Sequence, residues 1–340
     1  MESEDGFDLD TWRGLSSELD VCGLAVPAEL GGSGGSFADV AVVTEELGRS
    51  LSCIPWLSSV VLSQSLLLGL SDDPVASEWL ARLASGNARA AVAFAEPGRA
   101  WTASGIEMVA EQGASGWCLS GVKGYVVDGH TADLVLIVAC TGAGLSVFAV
   151  ETDAPGLSRV PVPTMDLTRK QARLELVDVP ARLLGEEGQA APAFERMLDL
   201  AAIALAQECV GGARFVLDSA VEYAKTRFQF GRAIGSFQAI KHKCADMLLA
   251  VESARSAAAY ARGVSESFGG AELSLAASLA KSACGDAFLH CASENIQVHG
   301  GIGFTWEHSA HLYFKRAQAN NLMFGSSRDH RGRLADLLEI

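Results

Sequence analysis

Arg227-Phe-Gln-Phe-Gly-Arg-Ala-Ile-Gly-Ser-Phe-Gln-Ala-Ile-Lys-His242 and, further on, Gln297-Val-His-Gly-Gly-Ile-Gly-Phe-Thr305 decide how this chain folds. The first block reads as a short glycine-bearing turn joining two long helices. The second ends a helix at Gly300-Gly301. Around them, residues 194–227, 237–263 and 271–299 carry apolar side chains at helical spacing and contain no proline. Such segments joined by short connections predict an antiparallel bundle over residues 189–340.

Upstream the period changes. Residues 90–94, 117–119, 134–139 and 146–150 are short and β-prone. Turn signals separate them: Gly113-Ala-Ser-Gly116, Asp128-Gly129, Thr141-Gly-Ala-Gly144 and Ala154-Pro-Gly156. Strands at this spacing predict a small barrel or sandwich over residues 89–188. Residues 1–88 read as helices. Leu24-Ala-Val-Pro-Ala-Glu-Leu-Gly-Gly-Ser-Gly-Gly35 is a loop, residues 37–47 form a helix with Gly48 as its stop, and Ser71-Asp-Asp-Pro74 caps the next helix. The chain is therefore mainly α with a central β-domain: a helical domain, a β-domain and a helical bundle.

Composition narrows the function. Lys and Arg number 26 against 41 Asp and Glu, a formal net charge of −15. That balance argues against nucleic-acid binding, which needs clustered cations. The cysteines at 22, 53, 118, 140, 209, 244, 284 and 291 form no CxxC pair, so neither a zinc site nor a thioredoxin-like pair is indicated. They read as small buried apolar residues in a reducing cytoplasm. The N-terminal Met1-Glu-Ser-Glu-Asp5 is acidic and lacks a signal-peptide charge pattern. Residues 60–70 are apolar but are broken by Ser63, Gln64 and Ser65, too short and too polar for a membrane span.

In their order and spacing, the two opening blocks resemble the carboxy-terminal half of the acyl-CoA dehydrogenase family. Leu24-Ala-Val-Pro-Ala-Glu-Leu-Gly-Gly32 with Thr44-Glu-Glu-Leu-Gly-Arg49 is similar to that family's N-terminal helices, and Leu119-Ser-Gly-Val-Lys123 to its mid-domain signature. The resemblance covers nearly the whole chain. It implies the family's three-domain fold, ending in a four-helix bundle, and FAD as cofactor. It also implies one more helix before Asp8, which this sequence lacks. Family members oxidise an acyl-CoA thioester between its α and β carbons: a carboxylate takes the α-proton and the flavin accepts a hydride. They pass electrons to an electron-transfer flavoprotein or a similar acceptor.

The residues that such chemistry needs are unevenly present. One branch of the family carries its glutamate base in a Tyr-Glu-Gly-Thr-type loop; here Leu322-Met-Phe-Gly-Ser-Ser-Arg-Asp-His-Arg331 puts Phe324 at that position. A second branch carries it early in the first bundle helix, where counting back from Arg227 gives Ala201. Glu208 on the same helix reads as a solvated or interface residue, Asp199 is a weak substitute, and Asp329 between Arg328 and Arg331 reads as a surface ion pair. The flavin-ring site is altered as well. The family's hydroxyl before Glu-Pro is Ala95 in Phe94-Ala-Glu-Pro97, and its Lys-x-Trp-Ile-Thr reads Lys123-Gly-Tyr-Val-Val127. Neither Ala95 nor Val127 can donate a hydrogen bond.

The arm that grips the ADP half of a neighbour's FAD is, by the resemblance, complete. Arg227 suits pyrophosphate, Phe230 and Gln238 lie along the dinucleotide, and Gln297, His299, Gly300 and Gly301 suit close approach to ribose and phosphate. Ser326, beyond Phe324, joins this cofactor-contacting set. The competing reading makes Gly300-Gly301 a plain helix stop and Arg227 a partner of a local carboxylate.

Three functions fit these residues. The first is the short, degenerate subunit of an actinobacterial α2β2 acyl-CoA dehydrogenase, paired with a homologous catalytic subunit and acting on bulky acyl-CoA substrates such as those of sterol side chains. The second is a self-sufficient homo-oligomeric dehydrogenase with a relocated base. The third is a non-enzymatic acyl-CoA-binding or scaffold protein, or a flavin monooxygenase, on the same fold.

Overall fold

The chain was analysed as a computed structural model that describes every residue except Glu2, Glu4, Ser115 and Phe268, with Ser267 described by its backbone alone. Part of the acidic N-terminal stretch and Ser115 of the Gly113–Gly116 turn thus lie outside the described residues. The chain forms two compact units, residues 1–40 with 53–201, and residues 41–52 with 202–340.

In the first unit, α1 (Leu9–Arg13) starts at Asp8, whose carboxylate accepts from the Asp10 and Thr11 amides at 3.0 and 3.1 Å. Capping of this kind satisfies helix-end donors that have no internal acceptor. The stretch around residues 60–70 is core: a π-helical segment, Trp56–Ser63, is buried throughout and leads into α3 (Gln64–Leu68). The capping signal at Ser71–Pro74 is used. Asp73 accepts from Val75 and Ala76, and Pro74 opens α4 (Pro74–Ala84).

Seven strands follow: β1 (Ala90–Ala93), β2 (Ala110–Gly113), β3 (Gly116–Val127), β4 (Leu134–Thr141), β5 (Gly144–Glu151), β6 (Leu157–Val162) and β7 (Gln171–Leu184). Their order is β1-β4-β5-β7-β3-β2, with β6 also pairing β7. β1 and β4 are parallel; the other pairs are antiparallel. β7 joins two layers, because its last residues pair with β5 while its earlier ones pair with β3 and β6. Val135, Ile137 and Phe148 from one layer pack with Leu119, Leu174 and Val179 from the other in a single core. This is a β-domain of the kind, barrel or sandwich, that the turn spacing predicted, although β2, β6 and β7 were not anticipated.

In the second unit α5 (Ala191–Thr226, begun in the first unit), α6 (Gln238–Ser267), α7 (Gly270–His299) and α8 (Ala310–Leu322) form the bundle, and α9 (Ser327–Leu337) closes the chain. The predicted helices are present, with ends within four residues of the predicted ones. α5 is long and apolar enough to cross a membrane, yet 89% of its most apolar stretch is buried, as in a core helix. Gln207 donates to the Ala258 carbonyl at 2.8 Å, tying α5 to α6, and Gly212 lets the Phe288 ring of α7 rest directly on α5. The predicted stop at Gly48 is corrected. α2 (Phe37–Ser50) runs through it, and its role is packing: a β-carbon there would overlap the α5 backbone at Glu208. All eight cysteines are thiols outside any disulfide; Cys22, Cys209, Cys284 and Cys291 are buried as predicted and the other four are half-buried.

Candidate functional site

Between α5 and α6 the chain makes a tight hairpin, β8 (Phe228–Gln229) paired with β9 (Arg232–Ala233). Its two central residues, Phe230 and Gly231, both have positive φ, +55° and +78°. That is the twist a two-residue hairpin demands, and glycine meets it without strain where phenylalanine does not. The Phe230 ring is 90% exposed. Arg227, just before the hairpin, is exposed and makes no ion pair with any described residue, which removes the support for a local carboxylate partner. Gln238 is exposed at the start of α6.

α7 ends at Gly300, whose φ of +64° breaks the helix, and a short 3-10 turn, Gly300–Phe304, follows. Nothing lies within 4 Å of where a β-carbon would stand on Gly300 or Gly301, so both face open space. Gln297 is exposed one turn earlier and His299 is buried. The His299 ring stacks on Tyr223 of α5 at 4.3 Å, which brings the end of α7 beside the end of α5 and hence beside Arg227. Burial holds the His299 imidazole below its ordinary pKa, and its Nδ1 lies 2.9 Å from the Asn295 carbonyl.

The two positions at which the resemblance expects a base are packed. Ala201 is fully buried and Phe324 is 7% exposed. The solvated reading of Glu208 is corrected: it is buried, accepting from Arg316 at 2.7 Å and from Asn320 at 3.0 Å. An ionised carboxylate held this way is a structural ion pair. Asp199 is buried on α5. Asp329 is not in a surface ion pair. It forms a capping box with Ser326, whose hydroxyl donates to it at 2.7 Å, and this bonding holds its carboxyl below the ordinary range. Ser326 therefore spends its hydroxyl on the start of α9, and Arg331 pairs with Asp286 instead.

The loop carrying Phe324 is fastened from beneath. Buried Lys281 donates to the carbonyls of Asn320 and Gly325 at 2.8 and 3.1 Å, and burial lowers its pKa. His330 donates from Nε2 to the Phe324 carbonyl at 3.1 Å. Its buried Nδ1 has no partner, so a second proton there would be unsolvated. Burial, with Lys281 nearby, pushes the His330 pKa down to about 4. An unfolded imidazole titrates near 6.5, so between these values the unfolded chain binds more protons. Stability is full above pH ~6.5 and falls as pH drops toward ~4, by up to about 3 kcal/mol. Unfolding measured from pH 7 to 5 will show this loss in wild type and a flatter profile in His330→Gln; equal slopes would remove His330 as the cause.

In the first unit, Ala95 and Val127 are each 4% exposed, and neither carries a hydroxyl. Lys123 is wholly buried and pairs with Glu96 at 2.7 Å. Burial lowers the lysine pKa; burial opposes ionisation of Glu96 too, but the bond from Lys123 and backbone amides bring its pKa below normal. Tyr125 sits at a bulge of β3 with φ +55°, beside Trp101, which in turn meets Phe94 edge-on.

These observations test the fit of FAD. The unpaired Arg227, the exposed Phe230 ring and the open glycine pair suit the pyrophosphate-bearing half of a dinucleotide. Ala95 and Val127 do not suit the polar edge of a flavin ring. The buried partners Lys281, Arg316, Asn320 and His330 were not predicted, since only packing brings them to the Glu208 and Phe324 positions.

Comparisons with known proteins bear on the family and the fold. Residues 1–87 match the family described as "Acyl-CoA dehydrogenase, N-terminal domain" and residues 191–338 "Acyl-CoA dehydrogenase, C-terminal domain". The sequence is 37% identical over 334 residues to the acyl-CoA dehydrogenase IpdE2 of Mycobacterium tuberculosis, covering 98% of this chain and 88% of that protein. Butyryl-CoA dehydrogenase from Megasphaera elsdenii superposes with a TM-score of 0.91 at 26% identity, over 98% of this chain and 91% of the other. A chain of the ChsE4–ChsE5 complex from Mycobacterium tuberculosis does so with a TM-score of 0.87 at 27% identity, over 99% and 90%.

Proposed function

This chain belongs to the acyl-CoA dehydrogenase family, and we propose that it is the non-catalytic subunit of a heteromeric member, lending its ADP-gripping arm to an FAD whose ring a homologous catalytic subunit holds. The observation that carries this reading is an asymmetry. Arg227 is exposed without an ion partner among the described residues and the Phe230 ring is exposed, while the ring-site positions Ala95 and Val127 are buried without hydroxyls. The two base positions hold Phe324 and Ala201. Similarity to a chain of the ChsE4–ChsE5 complex supports a heteromer.

FAD is the family's cofactor and, when bound, accepts the hydride from the acyl-CoA β carbon. This chain's residues bind and orient. Arg227 neutralises pyrophosphate charge, Phe230 and Gln238 flank the dinucleotide, and Gln297 with the backbone at His299, Gly300 and Gly301 takes the ribose and phosphate. Ser326 has both its hydroxyl and its amide hydrogen committed to the helix cap, so its part is to hold the start of α9 in place. The partner removes the α-proton of a bulky acyl-CoA in the cytoplasm, and an electron-transfer flavoprotein or similar acceptor reoxidises the cofactor.

The chain purified alone will be colourless or weakly yellow, and co-expression with its catalytic partner will yield a flavin-loaded complex. Arg227→Ala will weaken FAD retention by that complex ten- to a hundredfold, as loss of a charge-assisted phosphate contact of roughly 1.5–3 kcal/mol implies. Equal flavin content in wild type and variant would make Arg227 a structural residue. A stoichiometrically yellow chain that bleaches with an acyl-CoA in the absence of oxygen would establish the self-sufficient alternative.

A further inference from the structure

α6 carries apolar residues on two faces. Met247, Val251, Ala254, Ala258 and Ala261 are buried and form the stripe that meets the core of its unit. A helix on the outside of a bundle is normally charged on the opposite face. At helical spacing that face of α6 instead holds Ala245, Leu249, Ser256, Tyr260 and Gly263, all exposed. Leu249 is 70% exposed, and nothing lies within 4 Å of where a β-carbon would stand on Gly263. Glu252, in the middle of the face, is neutralised within its own chain by Arg255 at 3.2 Å and Arg214 at 3.7 Å.

The face is complementary to itself. An antiparallel copy of α6, related by a two-fold axis between residues 252 and 253, sets Leu249 opposite Ser256, Tyr260 opposite Ala245 and His242 opposite Gly263. Each large side chain meets a small one, over about 32 Å of helix. Two-fold contacts are isologous, so every match occurs twice. The same relation brings Lys241 of one copy beside Glu266 of the other, on one flank of the pair. Both residues are exposed, and neither has an ion partner among the described residues. We propose that α6 docks on the α6 of a second copy of this chain, antiparallel and in this register. Size and charge match along the whole face because the second surface carries the same sequence, which is what selects a copy of this chain as the occupant. The proposal does not depend on the subunit assignment, since it uses neither a flavin nor a catalytic partner.

Sedimentation equilibrium of the purified full-length chain tests it, and wild type will be a dimer. Leu249→Glu sets two new carboxylates near the axis and will raise the dimer Kd roughly a hundredfold or more. Gly263→Trp, which meets open space within one chain, overfills the pair and will raise Kd about tenfold or more. Both positions are exposed, so circular dichroism and the unfolding midpoint of the monomer will stay as in wild type. The register is read by exchanging charges. Lys241→Glu and Glu266→Lys will each raise Kd about tenfold, and the two together will restore it, because the exchange re-forms both flanking pairs. The proposal falls if the wild-type chain is a monomer, or if Leu249→Glu and Gly263→Trp leave the dimer unchanged, which would place the contact on another face. The register falls if the combined charge exchange does not restore what the single changes lose. Flavin content is not read here, so failure of this dimer leaves the proposed function to its own tests.

Discussion

Phe324→Glu, supplied with FAD and no partner subunit, will give no acyl-CoA-dependent dye reduction. A base works only within hydrogen-bond reach of the α-proton and opposite a correctly held acceptor. Restoring the carboxylate leaves Ala95 and Val127 as they are, buried and without donors for a flavin ring. The substitution also empties a packed site. Phe324 is 7% exposed, and removing a buried aromatic ring costs about 3–5 kcal/mol before the new charge is counted. The variant is therefore checked for folding, and Ala201→Glu repeats the test at the other position. Measurable turnover by either protein without a partner would mean that this chain holds a working flavin site, and the partner-subunit reading would have to be given up.

Arg316→Met will destabilise the chain by about 3–5 kcal/mol, because it strands the Glu208 carboxylate inside the bundle. The Asn320 amide, 3.0 Å away, remains as a donor but brings no charge. Adding Glu208→Leu to Arg316→Met will recover much of the loss, since replacing both charges by apolar side chains removes the desolvation penalty with the attraction. Denaturant unfolding of wild type, both single variants and the double variant closes the cycle. A single variant within about 1 kcal/mol of wild type would show that the pair is effectively solvated.

What could be read from the sequence depended on how local its physics was. The long helices were legible because each repeats its apolar period many times, and the hairpin between α5 and α6 because Gly231 marks it. β7 was missed although its buried and exposed residues alternate in part, since Arg173, Glu175, Asp178 and Pro180 dilute its β character. Gly48 was misread because a helix stop and a helix contact call for the same residue, and only the α5 backbone beside it distinguishes them. The Ser326-x-x-Asp329 capping box was written in the sequence, yet the adjacent arginines suggested ion pairing. Glu208 could not be placed from its own helix, because its partner Arg316 lies 108 positions away. At the candidate site the residues proposed for the arm come from sequence motifs, while the polar fastening under the Phe324 loop needed the fold.

The Phe230 ring has a consequence for how this chain changes over generations. Nine-tenths of the ring is in water and its backbone sits in a conformation that favours glycine, so the fold gains almost nothing from it. Stability alone would let drift erase an aromatic side chain there. An aromatic kept at position 230 across related sequences will be answerable to the surface it meets and not to the packing of its own domain.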